Sequence, residues 1–285
     1  MSDTYTIGFS NLDESLPSVV YRRQTLERAA VQHPQLRLMI RDNDMDDEKA
    51  LANVEEFAAA PVDLAIIFHI NERLGPQLRA PLLKKRIPII AVDIPIPMTT
   101  FFGMNNRGAG TVVGEALARW VTTYWGGHVD KVLMMTEGRI TGVIRDRLDY
   151  ALKSFTSQIQ VNGNDILYID GGSNRLDSAQ RSLPVLERWN AYKHIVVIGV
   201  NDDSALGVLD SVRQLGREQH FAIAGHGGDE AIRREINDPK SAYVASSDIS
   251  MDQYGPRLID LSLQMLSGKK VPPENFVQSG CVSKE

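Results

Sequence analysis

The sequence has little that would cross-link it and nothing that would carry it through a bilayer. A single cysteine, Cys281, stands among 285 residues; it excludes an internal disulfide and cannot by itself build a metal cage. It leaves the redox compartment open. No apolar run reaches the roughly 20 residues of a membrane-spanning helix, and Met1 to Tyr5 has neither a basic start nor a hydrophobic stretch. Charge of one sign is scarce as well. The 31 Lys and Arg against 36 Asp and Glu leave a net charge of -5, spread along the chain, so there is no electrostatic footprint for nucleic acid. Enzymatic signatures are also missing: there is no G-x-S-x-G elbow, no G-x-G-x-x-G after a strand, and no partner suggested for Cys281. The six histidines are too scattered for a metal site. Asp42, Asp44, Asp46 and Asp47 open like a calcium loop, but Asp47 stands where the glycine belongs and no glutamate closes the loop. They read as an acidic turn and helix start. No enzyme activity, cofactor or metal is therefore expected.

What is present is an alternation. Apolar residues at 43% and charged ones at 24% are ordinary for a water-soluble domain, and the length suits two lobes better than one core. Short apolar runs at Tyr5 to Phe9, Leu36 to Ile40, Leu64 to Phe68 and Ile87 to Val92 alternate with helical spacings. The rhythm breaks at Ile94 to Thr100 and resumes with a small-residue helix, Gly108 to Tyr124, expected to pack on a sheet. Strands follow at Val129 to Thr136, Ile166 to Ile169, Ile195 to Val200, Phe221 to Gly225 and Tyr243 to Ser247. This is the pattern of doubly wound parallel sheets. A last helix, Gln253 to Ser267, and a tail with Pro272 and Pro273 come after the second half is complete. The chain is therefore expected to return between lobes, and several crossing segments make a hinge.

Lys193 to Gly216 shows the unit most clearly. Ile195 to Val200 is β-branched and buried in character, Asn201 to Ser204 is polar, and Ala205, Leu206, Leu209 and Val212 recur at helical spacing until Gly216. A side chain at such a turn sits at the carboxyl edge of the sheet, where open α/β folds bind ligands. Asn201 is a candidate ligand contact or a helix cap, whereas Asp202 reads as a cap.

The other polar residues at strand ends are Asn11, Asp13, His69, Asp93, Asn105, the Gly138 to Arg147 segment and His226. Such groups facing one cleft suit a hydroxyl-rich ligand, because each hydroxyl donates and accepts and buried polar groups need partners. Asp93 precedes a non-helical loop, so capping explains it poorly. Arg145 opens a helix, where a cation opposes the macrodipole; it is a ligand contact or pairs with Asp149 or Asp146, and Arg147 reads as solvated. His226 lies in GHGG, which lacks the Lys and Ser or Thr of a P-loop and reads as a tight turn. His69 alone is more often structural.

The pieces YTIGFSN, RDNDMDDEKALANVEEF, VDLAIIF, IPIIAVD, NNRGAG, GVIRDR, IGVNDDSALGVLDSVRQLG and MDQYGPRLIDLSLQMLSGKKVPPE fall in an order that resembles type I periplasmic sugar-binding proteins. That family includes ribose- and galactose-binding proteins and the related effector domain of lac-repressor-like regulators. The resemblance covers essentially the whole chain, and the N-D-x-x-A-L-G segment is its most specific part. It implies an α/β fold of two Rossmann-like lobes with parallel sheets, joined by a multi-segment hinge: residues 1–106 with 249–274, and 107–248 with 275–285. A sugar or polyol would be closed between them, with Asp93, Arg145 and Asn201 facing a common gap. By motif, Asp93 matches the aspartate after I-P-x-x-x-x-D, Arg145 the arginine opening the second lobe's first helix, and Asn201 the asparagine of N-D-x-x-A-L-G. Asn11 and Asp13 lie in a first polar loop whose length differs. Ile94 stands where the family has arginine, GHGG replaces a G-F-D-G-like turn so that His226 substitutes for an aspartate, and among Ser246, Ser247 and Asp248 it is open which faces the ligand.

What the resemblance implies is a periplasmic, monomeric solute-binding protein that hands its ligand to the membrane subunits of an ABC importer and does not touch nucleic acid. Any export signal or preceding domain would have been removed ahead of residue 1, since Tyr5 already opens a core strand. Two alternatives share the ligand site: the effector domain of a cytoplasmic transcription regulator, which should self-associate, and the sensory domain of a receptor system.

Overall fold

A computed structural model describes residues 4–140, 142–248, 250–277 and 280–284. In chain order the elements are β1 (Tyr5–Asn11), α1 (Pro17–Val31), β2 (Leu36–Asp42), α2 (Asp47–Ala59), β3 (Leu64–Ile67), α3 (Gly75–Lys84), β4 (Ile89–Val92) and β5 (Thr100–Met104). Then come α4 (Asn106–Trp125), β6 (Lys131–Thr136), α5 (Gly142–Thr156), β7 (Ile166–Asp170), α6 (Arg175–Arg188), β8 (Ile195–Gly199), α7 (Asp202–Gln214), β9 (Phe221–Gly227), α8 (Glu230–Asn237) and β10 (Tyr243–Asp248). The chain ends with α9 (Tyr254–Leu266), β11 (Glu274–Val277) and β12 (Gly280–Ser283).

Two compact units result, Met1–Met104 with Ser250–Val277 and Asn105–Ile249 with Gln278–Glu285. The first holds a parallel sheet in the order β11-β5-β4-β3-β1-β2; the second holds β12-β10-β9-β8-β6-β7, parallel except for the β10/β12 pair. The central strands β3, β4 and β8 are buried along their whole length, as β-branched runs covered on both faces by helices should be. Core clusters such as Leu133, Val197, Val208, Leu209 and Phe221 in the second unit lie between sheet and helices. Burying each such side chain is worth about 1.5–3 kcal/mol.

The tail departs from expectation. It carries β11 and β12, short strands that extend the two sheets at their edges, and flanking prolines and polar neighbours hide them in the sequence. Because β11 pairs with β5, residues 275–277 stay with the first unit. Likewise residues 105 and 106 go with the second, as the cap and first residue of α4. Ile249, an expected boundary, and Thr141, in the expected turn 137–143, lie outside the described residues. Helix α4 packs on the sheet at β9, β10 and β12, as expected, and also closely against α5: a Cβ on Gly110 would stand 2.3 Å from the Arg147 carbonyl oxygen and one on Gly114 2.2 Å from that of Ala151. The small residues let α4 lie against the backbone of α5.

Candidate functional site

In each sheet one strand is entered from opposite sides by its crossovers, at β1 beside β3 in the first unit and at β6 beside β8 in the second. Open α/β sheets bind ligands outside the carboxyl ends at such a reversal.

In the first unit, Asn11 ends β1, His69 follows β3 and Asp93 follows β4, all buried. Asp93 has φ +58°, a left-handed backbone that costs a residue with a Cβ roughly 1–2 kcal/mol. Its side chain is held from two directions. Tyr254, the first residue of α9, donates its hydroxyl to Asp93 Oδ1 at 2.7 Å, and Arg22 Nη1 on α1 stands 3.0 Å from Oδ2. The Arg22 guanidinium lies 4.4 Å from the Phe68 ring centre and 4.5 Å from that of Tyr254, a flat cation held between two aromatic faces.

Several polar atoms along this edge are buried without a hydrogen-bond partner: Asn11 Oδ1, Arg22 Nε and Nη1, and His69 Nδ1. The Arg22–Asp93 approach is thus an ion pair that is not aligned as a hydrogen bond. The rest of these side chains is fixed: Asn11 Nδ2 donates to Glu14 at 2.7 Å, and His69 Nε2 meets Asp47 Oδ1 at 2.7 Å. Asp13 is buried but turns back on its own loop, accepting from the Ser15 backbone at 2.7 Å. An orphaned buried polar atom costs about 1–3 kcal/mol, so the edge stores that cost in a mixed set of donors and acceptors. Beside them His69, Asn71, Ile94 and Ile96 line a recess too small to admit a water molecule.

In the second unit the centre of the edge is Arg147, not Arg145. Arg147 is buried; its Nε donates to Asn106 Oδ1 at 2.8 Å and its Nη1 to the Val200 carbonyl at 3.1 Å. Arg145 is 59% exposed and pairs with Asp149 at 3.4 Å. The sequence held the signal: Ile144, Arg147, Leu148, Ala151 and Phe155 share the buried stripe of α5, and Arg145 lies off it. Beside Arg147, His226 is buried on β9, with Nδ1 2.8 Å from Ser247 Oγ and Nε2 without a partner. Burial, and then the Arg147 charge, push its imidazole well below its ordinary value, so it is neutral at pH 7.

Asn201 takes the capping role, one of the two readings open for it, and Asp202, expected to be a cap, does not. Asn201 caps α7, accepting from the Ser204 backbone at 2.8 Å while its amide donates to the Ser173 carbonyl at 2.9 Å. Asp202 is the buried one, accepting from the Tyr243 hydroxyl at 2.7 Å, the Ser246 hydroxyl at 2.8 Å and the Gly228 backbone at 2.7 Å. Burial pushes its carboxyl up to about 7 against those hydrogen bonds. A Cβ on Gly227 would come within 2.5 Å of the Asp202 carboxylate, so the GHGG turn is built for this close approach, as a tight turn. Asn105 is exposed and caps α4; its neighbour Asn106 is the buried partner of Arg147. Asp248 pairs with Arg233 at 2.5 Å. Glu137, at the end of β6, is buried: burial pushes it up, and the Arg139 side chain and backbone with Ser173 outweigh that and hold it below its usual value.

Sequence reasoning thus missed Arg22 and Tyr254. Arg22 was detectable, since it falls between Val19 and Leu26 on the buried stripe of α1. Two of the histidines that read as scattered, His128 and His194, lie beside Asp130 at the opposite, amino edge of the second sheet.

The model of the family described as periplasmic binding protein domain matches residues 7–270. No curated protein sequence matches the chain. Solved structures match over nearly the whole length. An ABC transporter solute-binding protein from Mycobacterium smegmatis with bound glycerol is 21% identical with a TM-score of 0.86, covering 99% of this chain and 94% of that one. A periplasmic solute-binding protein of an ABC transporter from Actinobacillus succinogenes with bound D-allose is 18% identical, TM-score 0.83, covering 99% and 98%. One from Bacillus halodurans with bound myo-inositol is 18% identical, TM-score 0.81, covering 99% and 96%.

Proposed function

This chain belongs to the periplasmic binding protein domain family, and we propose that it captures a sugar or polyol at the carboxyl edges of its sheets and passes it to the membrane subunits of an ABC importer. The observation that carries this is the set of buried, unpartnered donors and acceptors at these edges, Asn11 Oδ1, Arg22 Nε and His69 Nδ1 in the first unit and His226 Nε2 in the second. A hydroxyl donates and accepts at once, so a polyol satisfies such a mixed set where an anion or an apolar ligand does not. The chain works by binding and release, without a chemical step, as a monomer in the periplasm. Glycerol, D-allose and myo-inositol are bound in the related structures, which supports a polyhydroxylated ligand.

A thermal-shift screen of monosaccharides and polyols tests the proposal, because a ligand at 100 times its Kd stabilises the folded state by about 2.7 kcal/mol. Asp93→Ala and Arg147→Ala are each expected to abolish most of the shift while keeping a cooperative melt. A shift undiminished in both variants, or no shift with any polyhydroxylated ligand, refutes the assignment.

A further inference from the structure

The amino edge of the second sheet holds a group of side chains that ligand capture does not use. His128 and Asp130 lie in the connection from α4 to β6, and His194 immediately precedes β8. β6 and β8 are neighbours with Lys131 opposite Ile195, and the Asp130 backbone N–H donates to the His194 carbonyl at 2.8 Å. Register alone therefore brings the three together. One ligand atom from each lies within 4.8 Å of the other two. His128 Nε2 is 3.0 Å from Asp130 Oδ1, and His194 Nδ1 is 3.8 Å from Asp130 Oδ2.

Two observations set the cluster apart from an ordinary surface ion pair. His194 Nδ1 is buried and has no hydrogen-bond partner. Asp130 Oδ2 accepts the backbone N–H groups of Lys193 and His194 at 2.9 and 3.0 Å, so the carboxylate is oriented before any ligand arrives, as outer contacts orient metal-binding carboxylates. The nearby cation Lys131 is itself neutralised by Asp165.

We propose that His128, Asp130 and His194 bind a divalent transition metal of the zinc, nickel and copper class. Two imidazole nitrogens and one carboxylate oxygen suit these ions, whereas calcium and magnesium demand oxygen ligands. Bonds of about 2.0–2.1 Å in a tetrahedral site set the ligand atoms roughly 3.4 Å apart, so the present spacing needs to close by little more than an ångström. His128, with its side chain 65% exposed, is the member with room to move. The bound ion ties the end of α4 to the starts of β6 and β8, at the edge opposite the ligand-binding groups, and is a staple independent of sugar binding.

The aromatic neighbours supply the readout. The Trp125 ring centre lies 5.0 Å from that of His194 and 5.0 Å from Trp120, so bound Ni²⁺ or Cu²⁺ quenches their fluorescence. Titrating the full chain with NiCl₂ is expected to give saturable quenching at one equivalent, reversed by ZnCl₂, with ZnCl₂ raising Tm. His128→Gln and His194→Gln each weaken binding at least about tenfold, the scale on which even outer-shell changes act, and His33→Gln leaves it unchanged. Absence of saturable quenching, equal binding in both cluster variants, or an equal loss in His33→Gln overturns the site. Polyol shifts measured in the same variants stay at the wild-type value, so this outcome and the fate of the ligand-binding proposal are separable.

Discussion

The buried carboxyl of Asp202 makes stability depend on pH in a way that one substitution removes. Its ordinary value of 3.8 rises to about 7 in the folded chain, chiefly by burial. Between those two values the folded protein keeps a proton that the unfolded chain has released. Stability from this group is therefore complete below about pH 4 and is lost as pH rises through about 7, with a total near 4 kcal/mol at about 1.4 kcal/mol per pH unit. Most of that loss, about 3 kcal/mol, falls between pH 5 and pH 8. Asp202→Asn mimics the protonated form. The amide has one acceptor oxygen for donors from Tyr243, Ser246 and Gly228, so the variant pays a constant penalty of about 1–3 kcal/mol. His226 acts in the opposite sense: its folded value is depressed, so stability falls as pH drops through its unfolded value, about 6.5. That contribution is common to both proteins and cancels in the difference. Urea unfolding followed by circular dichroism at pH 5, 6, 7 and 8 should show wild type losing about 3 kcal/mol relative to Asp202→Asn across the range. A difference that stays constant with pH means the carboxyl is ionised throughout, and the explanation fails.

Tyr254→Phe removes the hydroxyl that binds the Asp93 carboxylate; a loss of about 1.5–3 kcal/mol in urea unfolding is expected, and an unchanged midpoint contradicts it. Gly114→Val drives a side chain into the Ala151 carbonyl, so Tm should fall by the equivalent of about 1–3 kcal/mol or more, and polyol affinity should fall with it as Asn106 leaves Arg147. The Cys281 thiol is pushed up to about 11, chiefly by burial, so at pH 8 only about 0.1% is thiolate; its reaction with Ellman's reagent should be far slower in the native chain than in urea, and equal rates would refute this.

The nine strands of the alternation were legible because each is an apolar run of sheet length bounded by polar turns. β11 and β12 were not, since an edge strand needs little apolar character and ENFV and GCVS have little. At the edges, Asp93 stood out because no helix follows it. Arg147 was misjudged against Arg145 because proximity to the helix start was weighed above the buried stripe it shares with Leu148 and Ala151. Asn201 and Asp202 are adjacent, and only the turn geometry decides which one caps and which one turns inward. His128 and His194 meet through the register of β6 against β8, which no local pattern records.

The return of the chain has a consequence for the order in which it folds. The first unit draws α9 and β11 from residues that follow the whole of β6 to β10 in sequence. Its sheet therefore cannot be completed before that long intervening stretch exists, and Asp93 lacks its tyrosine for as long. Contacts this distant in sequence form slowly, so the β5 edge stays open for longer than the size of its unit alone dictates.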